Sequence, residues 1–157
     1  MSLSTSVNIK IEAFERTGAI SNPNADHVWS FVQDYATGVA ASQSDSVYRA
    51  QLTATAAPVT LDLLGSLVGA FGSVVSFAGG VSLIAIKNNN TTATKKLTVG
   101  AGSNPFAGWS GAGANTRIIG PGDCEVWTSW IDDVLPVAGT GDIITIDPGA
   151  NTITFEI

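Results

Sequence analysis

Side chains able to carry out chemistry are sparse in this sequence, and their spacing assembles no reactive set. The 157 residues contain one histidine, His27, and one cysteine, Cys124. Nucleophilic hydrolysis needs a nucleophile, a base and a group that orients the base. His27 stands in the turn-like run Asn22-Pro23-Asn24-Ala25-Asp26-His27, with no nucleophile elbow beside it and no second His or Cys to complete a metal site. A lone Cys124 forms no disulfide within the chain, which excludes small scaffolds built on bridges and leaves it a small packed residue. Three glycine doublets, Gly100-Ala101-Gly102, Gly111-Ala112-Gly113 and Gly139-Thr140-Gly141, invite a phosphate-loop reading. None continues as a P-loop, Thr116 occupies the place of a third glycine after Gly113, and no βαβ unit surrounds them, so they read as loops. Asp123, Glu125, Asp132 and Asp133 could gather oxygen ligands, but no segment has EF-hand spacing. The expectation is a non-enzymatic protein with no catalytic, cofactor or metal residues. Two glycosylation sequons, Asn89-Asn90-Thr91 and Asn90-Thr91-Thr92, read as an exposed polar turn.

The charge balance narrows the partners. Net charge is −6, and residues 118–157 hold seven acids and no base. With no basic cluster larger than Lys95-Lys96, nothing here releases the counterions that drive nucleic-acid binding, so no nucleic-acid partner is expected. Only 13% of residues are charged and mean hydropathy is +0.27, so Ser, Thr, Asn and Gly must cover much of the surface. Leu63–Ile86 is uncharged and long enough to span a bilayer, but Gly and Ser interrupt it, and Gly79-Gly80 reads as a turn between two buried strands. No membrane segment is expected. The opening Met1-Ser2-Leu3-Ser4-Thr5-Ser6 lacks the basic and apolar regions of a signal peptide, so export by that route is not expected.

The aromatic residues are the candidates for contact. In Glu125-Val126-Trp127-Thr128-Ser129-Trp130, strand alternation sends Trp127 and Trp130 to opposite faces, one anchoring the core and the other packing under a loop or against a partner. Trp109 follows Asn104-Pro105-Phe106-Ala107-Gly108 in a glycine-rich loop, where a ring left in water is wasteful. It serves a subunit interface, a loop-covered core or ligand stacking. Phe106, Trp109, Trp127 and Trp130 are thus candidate interface residues.

The elements that must position these rings are strands, because the apolar period is 2. Val7, Ile9 and Ile11 alternate with polar neighbours, as do Tyr48, Ala50, Leu52 and Ala54, and Ile153, Phe155 and Ile157. Further strands are expected over Val28–Tyr35, Val59–Leu63, Val81–Lys87, Lys96–Val99, Arg117–Ile119, Cys124–Ile131 and Asp142–Asp147. Asn88-Asn89-Asn90, Gly120-Pro121-Gly122-Asp123, Gly139-Thr140-Gly141 and Asp147-Pro148-Gly149-Ala150-Asn151 separate them as turns. The last predicts a five-residue hairpin loop. Leu61, Leu64, Leu67 and Val68 fall at helical spacing and predict a helical turn or two, kept short by Gly65, Gly69 and Gly72. The fold class is all-β, a single sandwich or jelly-roll-like domain over 46–157, with 1–45 adding N-terminal strands or an arm to one compact unit.

The order of certain segments resembles a group of tailed-phage virion proteins with a compact β-sandwich or jelly-roll module. The segments are Thr60-Leu61-Asp62-Leu63, Ala70-Phe71-Gly72, Val75-Ser76-Phe77-Ala78, Ile84-Ala85-Ile86-Lys87-Asn88, Leu97-Thr98-Val99-Gly100 with Asn104-Pro105-Phe106, Pro121-Gly122, and Asp142-Ile143-Ile144-Thr145-Ile146. Residues 46–157 carry the likeness well and 1–45 loosely; the pair Asp123-Cys124 after Gly122 departs from the Gly-Gly usual after the proline. The resemblance implies a bacteriophage structural protein of the virion, made in the bacterial host cytoplasm: a capsid decoration or cement protein, or a head, tail or fibre accessory. It also implies a homo-oligomer, with a trimer favoured, that contacts a capsid or other virion protein. A carbohydrate- or receptor-binding sandwich is the competing reading, and it requires coplanar exposed Trp or Tyr rings.

Overall fold

A computed structural model describes residues 5–16, 24–38, 43–44, 46–65, 67–69, 72–109, 114–129, 134–137 and 139–157. The chain is all-β, and no helix occurs among the described residues. The N-terminal part is a long antiparallel ribbon, β1 (Thr5–Arg16) against β2 (Asn24–Thr37), with register running from Thr5 opposite Tyr35 to Arg16 opposite Asn24. A two-residue strand, β3 (Gln43–Ser44), joins the end of β2 in parallel. His27, expected in a turn, lies within β2 opposite Ala13.

Eight further strands form two four-stranded antiparallel sheets around one core, the arrangement of a β-sandwich. They are β4 (Gln51–Thr55), β5 (Val59–Asp62), β8 (Leu83–Asn88), β9 (Leu97–Gly100), β10 (Thr116–Ile119), β11 (Cys124–Thr128), β12 (Ile143–Asp147) and β13 (Thr152–Glu156). One sheet has the order β11-β8-β13-β4 and the other β10-β9-β12-β5. Between β5 and β8 a small pair, β6 (Leu67–Val68) and β7 (Val74–Val75), stands apart. The period-2 pattern does the sorting. Ala54, Ile84, Ile86, Ile153 and Phe155 line the inner face of the first sheet, and Leu61, Leu97, Val99, Ile119, Ile144 and Ile146 that of the second; all are buried. Their outward neighbours Thr53, Lys87, Thr60 and Ile118 are exposed.

Three expectations change. Asp147–Asn151 does turn the chain, with the Asp147 carboxylate accepting from the Gly149 N–H at 2.7 Å, but β12 and β13 do not pair with each other. The turn is an arch from one sheet to the other. Local turn chemistry is the same for a hairpin and an arch, and here the pairing is decided by the core: both strands are central and take partners on both sides within separate sheets. The helical turn expected over Leu61–Phe71 is absent among the described residues. Asp62 caps the chain instead, accepting from Leu64 and Gly65 N–H at 2.9 Å each, and Leu67 re-enters a strand. This also breaks up the long uncharged run, and no helix among the described residues is long and apolar enough to cross a membrane. Finally, Asn88-Asn89-Asn90 is no loose exposed turn. Asn88 is fully buried, its amide donating to the carbonyls of Lys95 (2.8 Å) and Ile119 (3.3 Å) and accepting from Asn90. The Asn89 amide donates to Glu156, and that of Asn90 to the Thr154 carbonyl. Both sequon nitrogens are thus engaged in the fold.

Candidate functional site

The two ends of the sandwich differ. At one end the connections are short: 56–58, 89–96, 120–123 and 148–151. At the other lie the long ones, 63–82, 101–115 and 129–142, together with the ribbon's lead-in to β4. Long loops on a rigid two-sheet scaffold are where contact surfaces are built.

The β9–β10 loop is anchored at this elaborated end. Pro105 bridges to Ile143, the Phe106 N–H donates to the Ile143 carbonyl at 2.8 Å, and the Ile143 N–H donates to the Asn104 carbonyl at 3.0 Å. The anchor drives Phe106 into the interior, where it is 1% exposed. Trp109 meets the Phe106 ring edge-on, with centroids 5.2 Å apart, and packs against Trp127 at 4.8 Å with the planes tilted by 38°. Trp127 lies opposite Ile84 in the register and so takes the inner face. Of the four candidate interface residues, Phe106 belongs to the core of its own chain. Trp109 and Trp127 are half-buried against that core, and Trp130 lies outside the described residues. The two indole rings face one another; they do not lie side by side in one plane as a sugar platform requires.

Between the segment before β4 and the start of β8 opens a cleft of about 670 Å³, a feature the sequence reading did not assemble. Leu61, Leu63, Phe77 and Ile144 form its floor, and Tyr48 and Ile84 its walls. Burial pushes the Tyr48 hydroxyl above its ordinary pKa. The only signal in sequence was the alternation that begins at Tyr48, three residues before β4.

The polar candidates are dispersed. Among the described residues no three of His, Cys, Asp and Glu converge as a metal set, and Asp132 and Asp133 lie outside them. Glu125 pairs with Arg117 at 3.9 Å, joining the edge strands β11 and β10 of opposite sheets, and Glu156 pairs with Arg49 at the same distance. Cys124, expected to be packed, is instead exposed on the edge strand β11; desolvation raises its thiol pKa, Lys87 lowers it and Glu125 raises it. Of the glycine doublets, Gly100 ends β9 and Gly102 lies just after it, close to Thr145, while Gly111 and Gly113 lie outside the described residues.

No protein-family profile, curated protein or solved structure matches the chain.

Proposed function

We propose that this chain is a non-enzymatic structural component of a bacteriophage particle, a decoration, cement or head–tail accessory module that acts through self-association and surface contacts. The observation that carries the reading is the strand order. Counting the eight sandwich strands in sequence, first pairs with eighth, second with seventh, third with sixth and fourth with fifth, which supports a jelly-roll reading, a fold shared by many capsid proteins. Of the segments that resemble phage virion modules, Thr60–Asp62, Ile84–Asn88, Leu97–Gly100 and Ile143–Ile146 fall on these strands. The ribbon β1–β2 supports an assembly role: a two-stranded ribbon is marginal in water unless a further layer covers it, and a second copy of the chain supplies such a layer. Its register sets Ile9 opposite Phe31 and Ile11 opposite Trp29.

Light scattering on the full chain at tens of micromolar tests this. A homo-oligomer, with a trimer favoured, is expected, and Ile9→Glu or Trp29→Glu shifts it to monomer with the sandwich still folded. A full-length chain that stays strictly monomeric, or an oligomer indifferent to both substitutions, removes self-association through the ribbon.

A further inference from the structure

Four strands end the two sandwich sheets: β4 and β11 in one, β5 and β10 in the other. A strand edge offers unpaired N–H and C=O groups to any strand that comes alongside, and charges, prolines and bulges ordinarily discourage such pairing. Three of these edges are guarded in this way. β5 carries Asp62 and follows Pro58, β10 carries Arg117, and β11 carries Glu125. β4, Gln51-Leu52-Thr53-Ala54-Thr55, has no charge and no proline, and its register with β13 runs unbroken from Gln51 opposite Glu156 to Thr55 opposite Thr152.

The direction of its backbone groups follows from that pairing. Ala50 and Ile157 exchange both hydrogen bonds, at 2.9 and 3.0 Å, and the Ala56 N–H donates to the Asn151 carbonyl at 2.8 Å. Even residues therefore bond to β13, and the N–H and C=O of Gln51, Thr53 and Thr55 point to the other side, where no strand lies among the described residues. The side chains of the same three residues are exposed, with the Thr53 hydroxyl 3.2 Å from that of Thr154. Leu52 stays half-buried at the rim, although Ala54 on the same face is buried completely.

This edge is complementary to itself. Laid antiparallel to its own copy about a two-fold axis at Thr53, β4 sets Thr53 opposite Thr53 of the second copy, and Gln51 opposite Thr55 of the second copy on either side. Every one of these pairs is of the hydrogen-bonded type, so each exchanges both main-chain bonds and no outward group of β4 is left over. The facing pairs are Thr–Thr and Gln–Thr, so no charge meets a like charge, and Thr–Thr pairs across strands are favourable. Arg49 falls opposite Ala57 of the second copy, away from its own counterpart. On the inner face Leu52 meets Ala54 of the second copy, which covers its exposed rim.

We propose that two copies of this chain join β4 to β4 about that axis, merging their β11-β8-β13-β4 sheets into one continuous sheet. The contact is separate from the ribbon. One strand edge buries less than the roughly 1,200 Å² of a stable interface, so an isolated pair forms only toward about 1 mM. In oligomers held by the ribbon several such edges act together and link one oligomer to the next.

Cysteine cross-linking on the full chain tests this, with Cys124→Ser throughout to remove the exposed native thiol. Hydrogen-bonded partners in antiparallel strands have Cα atoms about 5.5 Å apart, within reach of a disulfide. Thr53→Cys at about 1 mM under mild oxidation is therefore expected to give a covalent dimer. Gln51→Cys and Thr55→Cys should give none when each is alone, because each lies about 14 Å from its own counterpart, and should cross-link when mixed. The same pattern is expected in the Ile9→Glu background, so that failure of the edge and failure of the ribbon contact are told apart. Adding Thr53→Lys to both members of the mixed pair should leave the sandwich folded and lower the cross-linked yield by about fivefold, because two ammonium groups then meet across the axis. No dimer from Thr53→Cys, equal yields from the three positions taken singly, or a mixed yield indifferent to Thr53→Lys overturns the proposal.

Discussion

Asn88 offers the sharpest test of how the sandwich is held at its short-loop end. Its side chain is fully buried and takes part in four hydrogen bonds, to the carbonyls of Lys95 and Ile119 and from the N–H and amide of Asn90. Asn88→Leu keeps the approximate volume and removes all four. The Ile119 contact is buried and cannot be replaced by water; losing it costs about 1–3 kcal/mol. The contacts to Lys95 and Asn90 are only part-buried, so each loses roughly 0.5–1 kcal/mol, for a total near 3 kcal/mol. In a chain of this size 1 kcal/mol moves the melting temperature by about 2–4 °C, so a fall of about 6–12 °C is expected by calorimetry. Asn88→Asp separates hydrogen bonding from shape. Its carboxylate faces two carbonyls, so its folded pKa is raised; stability is lowest above that pKa and recovers as pH falls toward the unfolded value of about 3.9. A fall under about 2 °C for Asn88→Leu, with the native spectrum retained, would show that the network is ornamental and the reasoning mistaken.

Four more outcomes are expected. Thr145→Val should raise the melting temperature by about 2–4 °C in a thermal scan, because the Thr145 hydroxyl is buried without a hydrogen-bond partner among the described residues and the methyl fills the same space. Gly102→Ala should lower stability by more than Gly149→Ala in urea titration. Both glycines have positive φ, but a Cβ at Gly102 meets the Thr145 hydroxyl oxygen at 2.5 Å, whereas one at Gly149 meets nothing and costs only about 1–2 kcal/mol. Phe106→Ala should cost about 3–5 kcal/mol in the same titration and shift the emission of Trp109, which loses its edge-on neighbour. Alkylation of Cys124 should have a pH midpoint above that of a free cysteine, since desolvation disfavours the thiolate, and Lys87→Ala should move it higher still by removing the one charge that lowers it.

The strands were legible because burial on one face imposes a period that any segment carries within itself. Ile153 and Phe155 announce their inward face whatever lies opposite. Pairing was not legible in the same way. Nothing within Asp147–Asn151 distinguishes an arch from a hairpin, since that choice depends on Ile146 meeting Val99 while Phe155 meets Asn88. Asn88 read as a turn residue because its type favours turns; its burial follows from carbonyls more than five residues away. The aromatic cluster was half visible. Phe106 and Trp109 stood out by type, but only the bridge between Pro105 and Ile143 sends Phe106 inward. The cleft lay beyond the sequence altogether, because Tyr48, Leu61, Phe77, Ile84 and Ile144, far apart along the chain, meet only once it has folded.

The pairing of first strand with last has a consequence for how the chain is made. β4 and β13 are joined by contacts such as Thr53 to Thr154, 101 residues apart, and β13 is a central strand of its sheet. Neither β4 nor the inner flank of β8 finds its sheet partner until β13 has left the ribosome, so the sandwich does not close before that strand is made. Contacts at such sequence separation place folding at the slow end for small domains, on the order of milliseconds to seconds. Through that interval the open edges of β4 and β8 are exposed together with their apolar faces. Until β13 arrives, the nascent chain thus presents a vacant strand position between β4 and β8.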